Sequence, residues 1–341
     1  MSLASAIRTG DVTQLPSRRD EDWRWTDLRG LIRVVPPASS AYDGELPAGP
    51  FAAAEEIAVV NGGERTLRIA AGEARVAALR FVAATSETAH AARVTVEVAD
   101  GAVLTLLESY EGQGAGYVAH ADLDIRLGDG ARLERIVIAD DDADAVSVSL
   151  AEVRLSAGAV FEQTILTTGA KRQRIETRVA HPGHGAAVRM DGAYLLADKR
   201  HADITTEVVH AGEGGTTTQL TKGVVRDQAR GVFQGRIVVA QGADRTDARM
   251  GHHALILSER AEVDAKPELL IFADDVQCAH GNTVGALDED AIFYARQRGI
   301  PDADARAMLT QAFIGEVIER IAHDGAREAA RAWAVQRLGG G

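Results

Sequence analysis

The sequence predicts a mainly β protein: a right-handed parallel β-helix, or solenoid, with a short N-terminal helical segment and a C-terminal helical region. Three observations lead there. A glycine recurs at near-constant spacing from Gly72 to Gly242, and each such glycine opens a short run with strand-like alternation. The 341 residues are 46% hydrophobic but only 4% aromatic, so the core must be built from small and β-branched side chains in a repeated geometry.

The first 54 residues read as a helical and irregular segment. Met1–Gly10 lacks the long apolar stretch of a secretory leader. "LPSRRDEDWRWTDLRGL", Leu15 to Leu31, holds two of the three tryptophans. Trp23 and Trp25 suit either an exposed docking element or anchors that fasten a short helix to its own domain.

Residues 55–286 form the repeat. The recurring glycines are Gly72, Gly101, Gly130, Gly158, Gly185, Gly215 and Gly242, at successive spacings of 29, 29, 28, 27, 30 and 27. A β-sandwich with regular turn signals is the alternative, but it does not call for so constant a period. Within one unit, Leu133, Ile136, Ile138, Val146, Val148, Leu150, Val153 and Leu155 mark two or three short strands. Glycine at each corner supplies the left-handed backbone of a sharp bend. Stacking one coil on the next then pairs each strand with its equivalent and buries a continuous apolar column.

Residues 287–338 change to a helical pattern. Asp288 opens "DEDAIFYARQRG", which Gly299 and Pro301 stop. Asp302 is placed to cap the next helix, in which Ala305, Met308, Leu309 and Ala312 fall on one stripe and Ile314, Val317, Ile318 and Ile321 widen it. So broad an apolar surface implies either burial on both sides or a face offered to another chain, and these helices are expected to cap the open end of the solenoid. A last helix is expected over 326–338, with the final "LGGG" frayed.

Thirty-seven basic against 50 acidic residues give a net charge of −13, which repels a phosphate backbone and argues against nucleic acid as the main partner. No stretch approaches the roughly 18 to 20 apolar residues that span a bilayer. One cysteine excludes an intrachain disulfide framework and fits a reducing, cytoplasmic setting.

Standard catalytic motifs are missing: no P-loop, no dinucleotide fingerprint, no H-E-x-x-H and no G-x-S-x-G. "GEGGTTTQLTKG" has glycines without the required lysine. The acidic run Asp140, Asp141, Asp142 and Asp144 lacks calcium-loop spacing and reads as a solvated turn. His181 and His184 fit a turn, and His252 and His253, being adjacent, point to opposite faces of a strand. Cys278 and His280, two apart in "VQCAHGNTVG", project from one face if that stretch is extended. Both are ligands for zinc, copper or iron, but two ligands make half a site, and with no second cysteine a thiolate-rich site needs another molecule. A buried thiol beside a hydrogen-bonded histidine and a cysteine–histidine nucleophile remain open alternatives.

The stretch from Ala254 onward carries Leu-Ser-x-x-Ala (Leu257–Ala261), Lys-Pro-Glu-Leu (Lys266–Leu269), Ala-Asp-Asp-Val (Ala273–Val276), Cys-x-His-Gly (Cys278–Gly281), Gly-x-Leu-Asp (Gly285–Asp288) and Arg-Gly-Ile-Pro (Arg298–Pro301), in that order. With Glu-x-Trp-Arg-aromatic-Thr-Asp-Leu at Glu21–Leu28, it resembles the SufB/SufD family of iron–sulfur cluster assembly proteins. The single cysteine and modest length are closer to the SufD branch. The match is weakest at Gly251–His253 and assigns no role to His252 or His253.

The resemblance implies a non-enzymatic scaffold subunit of a SufB–SufC–SufD complex. Such a subunit pairs with a SufB-like scaffold through the C-terminal end of the β-helix and binds a SufC-like ATPase through its helical region, where Ile292, Phe293, Met308, Leu309, Phe313 and Val317 are the candidate docking residues. It implies His280, assisted by Cys278, as a ligand of transient iron or a nascent cluster shared with SufB, with no permanently bound cofactor. It further implies that ATP-driven SufC dimerisation strains the scaffold and exposes this interface. In isolation a homodimer is an alternative assembly. Two other classes stay open on the residues alone: a β-helix polysaccharide lyase or hydrolase, and a purely structural β-helix.

Overall fold

The computed structural model describes residues 2–51 and 55–338; Ala52–Ala54 and the glycines of the terminal "LGGG" lie outside the described residues. Its central feature is a parallel β-solenoid in which consecutive strands alternate between two facing sheets. One sheet contains β1 (Glu56–Val60), β3 (Ala74–Ala83), β5 (Val103–Gly112), β7 (Arg132–Asp140), β9 (Val160–Thr167), β11 (Ala187–Leu196), β13 (Thr216–Val225), β15 (Thr246–Ile256) and β17 (Val276–Gly285), hydrogen-bonded in that order. The other contains β2 (Gly63–Ile69), β4 (Ala89–Val98), β6 (Val118–Leu127), β8 (Val146–Leu155), β10 (Arg172–His181), β12 (His201–His210), β14 (Arg230–Val239) and β16 (Glu262–Ile271). Each coil therefore has two strands, and the unit read from the sequence as two or three resolves to β7 and β8.

The pairing register explains the glycine period. Leu106 pairs with Arg135, and Arg68 with Glu97, so the chain returns to the same height after 29 residues. Gly72, Gly101, Gly130, Gly158, Gly185 and Gly242 have φ between +63° and +81°, the left-handed bend that glycine adopts without steric cost. One position needs correction. The turn residue of the sixth coil is Gly214, at φ +68°, not Gly215. Gly215 is glycine because a Cβ there would lie 2.5 Å from His181 and 2.8 Å from His210, two imidazoles stacked at 4.3 Å inside the solenoid. With Gly214 in its place the spacings become 29 and 28.

The lumen is mostly apolar, with Leu79, Leu104, Leu133, Phe161, Ile165, Ile175 and Ile204 in one cluster. Each fully buried aliphatic side chain contributes roughly 1.5 to 3 kcal/mol of transfer free energy. The column also contains a fully buried ion pair, in which Arg135 donates to both oxygens of Glu108 at 2.6 and 2.7 Å and to Gln163 at 2.6 Å. Asp141, from the acidic run, is likewise buried, accepting from Tyr117 at 2.6 Å and Gln173 at 2.7 Å.

Many strands are buried on both faces because both flanks are covered. α1 (Leu3–Thr9) and the residues after it pack Leu3, Ala6, Leu15, Leu28 and Ile32 over Val118, Val146 and Val148 of the even sheet. On the odd sheet, α3 (Asp302–Ile318) and α4 (Asp324–Leu338) place Ile314, Val317, Ile318, Ala330 and Trp333 against Leu107, Ile136, Ile138, Leu166 and Leu195. The helices thus cover a flank rather than cap the open end.

Helix boundaries also shift. α2 (Glu289–Gln297) is capped by Asp288 as expected, and Gly299 leaves it at φ +86°. Pro301, not Asp302, is the N-cap of α3; Asp302 is its first residue and pairs instead with Arg306 at 2.8 Å. The buried stripe of α3 is Ala305, Thr310, Ile314, Val317 and Ile318, leaving Met308 and Ala312 outward.

Candidate functional site

The last coil is where the solenoid stops without cover. Among the described residues β17 pairs only with β15, and β16 only with β14, so each presents one unpaired strand edge. In β15, Ala248, Met250 and His252 point into the lumen and are buried. Their register partners in β17 are Cys278, His280 and Asn282. Paired residues of a parallel sheet face the same side, so these three continue the interior columns by one coil, into the opening. The expectation that Cys278 and His280 share a face follows from this register.

The two differ in surroundings. Cys278 is half-buried against the cluster of Phe233, Ile237, Val239, Ala248 and Met250. Burial pushes its thiol above the usual range, an effect the Ala248 backbone hydrogen bond opposes and the Asp247 charge reinforces. A thiol held protonated is a poor nucleophile, which counts against a catalytic cysteine. His280 is exposed, and its imidazole has no hydrogen-bond or ion-pair partner among the described residues. No group of three or more His, Cys, Asp or Glu residues converges on a metal-sized site among the described residues. What this chain offers at the opening is therefore a pair of donors, one soft and one imidazole, which leaves a tetrahedral ion two positions short.

Sequence reasoning assigned no role to His252, yet it supports the site. His252 and His253 do face opposite ways: His253 bonds Thr283 at 2.7 Å on the outer side. His252 is buried, stacks on Phe233 at 4.9 Å, lies 2.9 Å from the Tyr194 hydroxyl and 2.7 Å from the Asn282 amide oxygen. Since the amide oxygen can only accept, Nδ1 donates to Asn282 and Nε2 accepts from Tyr194. Burial lowers its pKa to about 4, which matches the neutral ring that this bonding needs. The chain Tyr194–His252–Asn282 ties β17 to the interior two residues from His280. The only signal in the sequence was the i, i+2 series 278, 280, 282.

Of the candidate docking residues, Ile292 and Val317 are buried within the chain's own core, so neither reaches a partner in this conformation. Leu309 is half-buried near Leu287, and Phe313 lies under the Lys222 ammonium at 4.3 Å. Phe293 and Met308 are exposed, as is Tyr294, which the sequence reading passed over. The remaining exposed apolar groups at the open end are Leu270, Ile271, Phe272 and Val284.

No helix among the described residues is long and apolar enough to cross a membrane. The family model for the SUF system FeS cluster assembly SufBD core domain matches residues 81–313. The iron–sulfur cluster assembly protein SufD of Escherichia coli is 29% identical, over 99% of this chain and 92% of its own length. A SufBD family protein of Synechocystis sp. is 30% identical over 67% of this chain and 52% of its own length, and one from Mycobacterium bovis is 28% identical over 93% and 88%. With the parallel β-solenoid, these matches make the chain a member of the SufBD family of iron–sulfur cluster assembly proteins, on its SufD side.

Proposed function

We propose that the chain is a non-catalytic, cytoplasmic scaffold subunit that assembles iron–sulfur clusters only in combination with partners. The observation that carries this reading is the uncovered last coil, where two interior columns end in Cys278 and His280 beside unpaired strand edges. A SufB-like chain that extends the solenoid at this end would bury Leu270, Ile271, Phe272 and Val284 and supply the missing thiolate and carboxylate donors. Iron and sulfide are cargo here, held transiently, and no cofactor resides on this chain. His280 is the first ligand and Cys278 assists.

ATP hydrolysis belongs to a SufC-like ATPase docked on the exposed side of α2 and α3, around Phe293, Tyr294 and Met308. Its dimerisation strains the paired scaffolds and opens the shared edge to iron and sulfide. A lyase reading finds little support along the flank, where acidic side chains are tied into ion pairs such as Asp124 with Arg126 and Arg154, both at 2.5 Å. A pull-down of the tagged chain from its own cytosol tests the partnership. Recovery of a P-loop ATPase together with a second SufBD-family chain is expected, and recovery of the chain alone, or only with itself, contradicts it.

A further inference from the structure

Two motifs that the cluster-assembly reading leaves idle, Glu21–Leu28 and Lys266–Leu269, meet in space. Residues 21–26 run across four neighbouring strands of the even sheet. Thr26 donates to Asp203 of β12 at 2.5 Å, and His201 of β12 contacts the Trp25 carbonyl at 3.1 Å. The Trp23 ring lies 4.4 Å from the Arg174 guanidinium of β10, and Arg174 donates to the Asp22 carbonyl at 2.6 Å. Gln234 of β14 reaches the same carbonyl at 3.2 Å, while Arg236 of β14 pairs with the Asp22 carboxylate at 2.8 Å. Lys266 of β16 donates to Glu21 at 2.8 Å, and Glu268 of β16 closes the set on Arg236 at 3.0 Å and Lys266 at 3.4 Å.

We propose that residues 21–26 are a strap that sets the position of the terminal coil, so that the N-terminus of the chain holds the coil carrying Cys278 and His280. The argument rests on where the solenoid is weak. Every interior coil is held by a ladder on both sides, whereas β16 has β14 alone. On its outer face Glu262 and Asp264 pair with Arg230 of β14, whereas Lys266 and Glu268 meet Arg236 and, through Lys266, are tied directly to the strap. The grip is graded along the segment. The Arg174–Asp203 pair under Trp23 is fully buried, so breaking its cover is costly. The Glu21 carboxylate at the tip is 79% exposed, and an ion pair that exposed holds weakly and is screened by salt. The strap therefore frays from its tip, the part that touches the last coil, while its root stays fixed.

The consequence for a partner rests on the proposed function; the physical claim does not, and hydrogen exchange on the full-length chain tests it without any partner. Three proteins are compared by mass spectrometry: wild type, the double variant Glu21→Gln with Asp22→Asn, and Trp23→Ala. The expected result is amide exchange in 262–285 faster by about 10-fold in the double variant, corresponding to about 1.4 kcal/mol of local opening, with β3 to β9 unchanged. Trp23→Ala is expected to extend the change to β10, β12 and β14. If Trp23→Ala does not fold, the double variant alone decides. Unchanged exchange in 262–285, or an equal rise throughout the solenoid, overturns the strap. A normal partner pull-down with altered exchange leaves the strap standing and counts against its relevance to assembly, so the two failures are separable.

Discussion

In the proposed function His280 and Cys278 are the ligands, and the residue that ties their strand to the interior is His252, through Tyr194 and Asn282. Its ring is neutral in the fold with a pKa of about 4, against 6.5 for a free imidazole, because it is buried between Phe233, Tyr194 and Asn282. The unfolded chain takes up a proton below pH 6.5 and the fold does not, so this residue's contribution is complete above pH 6.5 and is lost as the pH falls toward 4. His252→Gln keeps a donor and an acceptor between Tyr194 and Asn282 but cannot titrate. Its stability deficit relative to wild type in urea unfolding is expected to narrow by about 1 kcal/mol between pH 7.5 and pH 5.5. A gap independent of pH would show that His252 is not held neutral. At this scale the sequence was informative where spacing decides. The i, i+2 separation put Cys278 and His280 on one face, while the partners of His252 lie 58 and 30 residues away and could not be read without the register.

At the scale of elements, β17 is an edge strand by position, and α3 and α4 close the odd flank with charged as well as apolar contacts. Lys222, nearly buried on β13, pairs with Glu316 and sits over the Phe313 ring. Asp191, fully buried on β11, meets Arg189 and Arg320. Glu134 on β7 accepts from the Ala322 and His323 amides at 2.6 and 3.1 Å, which satisfies donors that the turn into α4 otherwise leaves open. Hydrogen bonds to a charged group are worth roughly 1.5 to 3 kcal/mol. Glu134→Ala is accordingly expected to loosen the α3–α4 pair by about 2 kcal/mol, seen as an earlier urea transition in the fluorescence of Trp333, which is buried against this flank. Coincident transitions for variant and wild type would assign the docking to the apolar contacts alone. The sequence located these helices but not what they cover. Their apolar stripe was visible, and the complementary surface was not, because Ile136 and Ile138 look like ordinary strand alternation until both faces of β7 prove buried.

For the whole molecule, one structural repeat explains the composition. A coil of about 29 residues requires a left-handed turn at a fixed position and a small set of side chains that stack on themselves, hence many glycines and few aromatics. This periodic part was legible because the same physics recurs every coil, and even the Gly215 misassignment came from a neighbouring glycine kept for a different close contact. The parts that break the period were less legible: where the flanking helices lie, the strap of residues 21–26, and the open end. These depend on contacts between residues up to 245 apart in the chain. Together they leave one end of the solenoid uncovered, with two donors on it.

The claim that this end is half of a shared assembly site is tested most directly by anaerobic cluster assembly on the complex recovered with the tagged chain, comparing wild type with His280→Ala. An exposed side chain without partners can be removed with little effect on folding, so the variant should keep the wild-type thermal transition and the same recovered partners. The account predicts that its cluster formation, followed by visible absorbance, falls at least about 10-fold, the effect of losing one ligand worth about 1.4 kcal/mol or more. A His280→Ala complex that is intact and assembles clusters at the wild-type rate would contradict it.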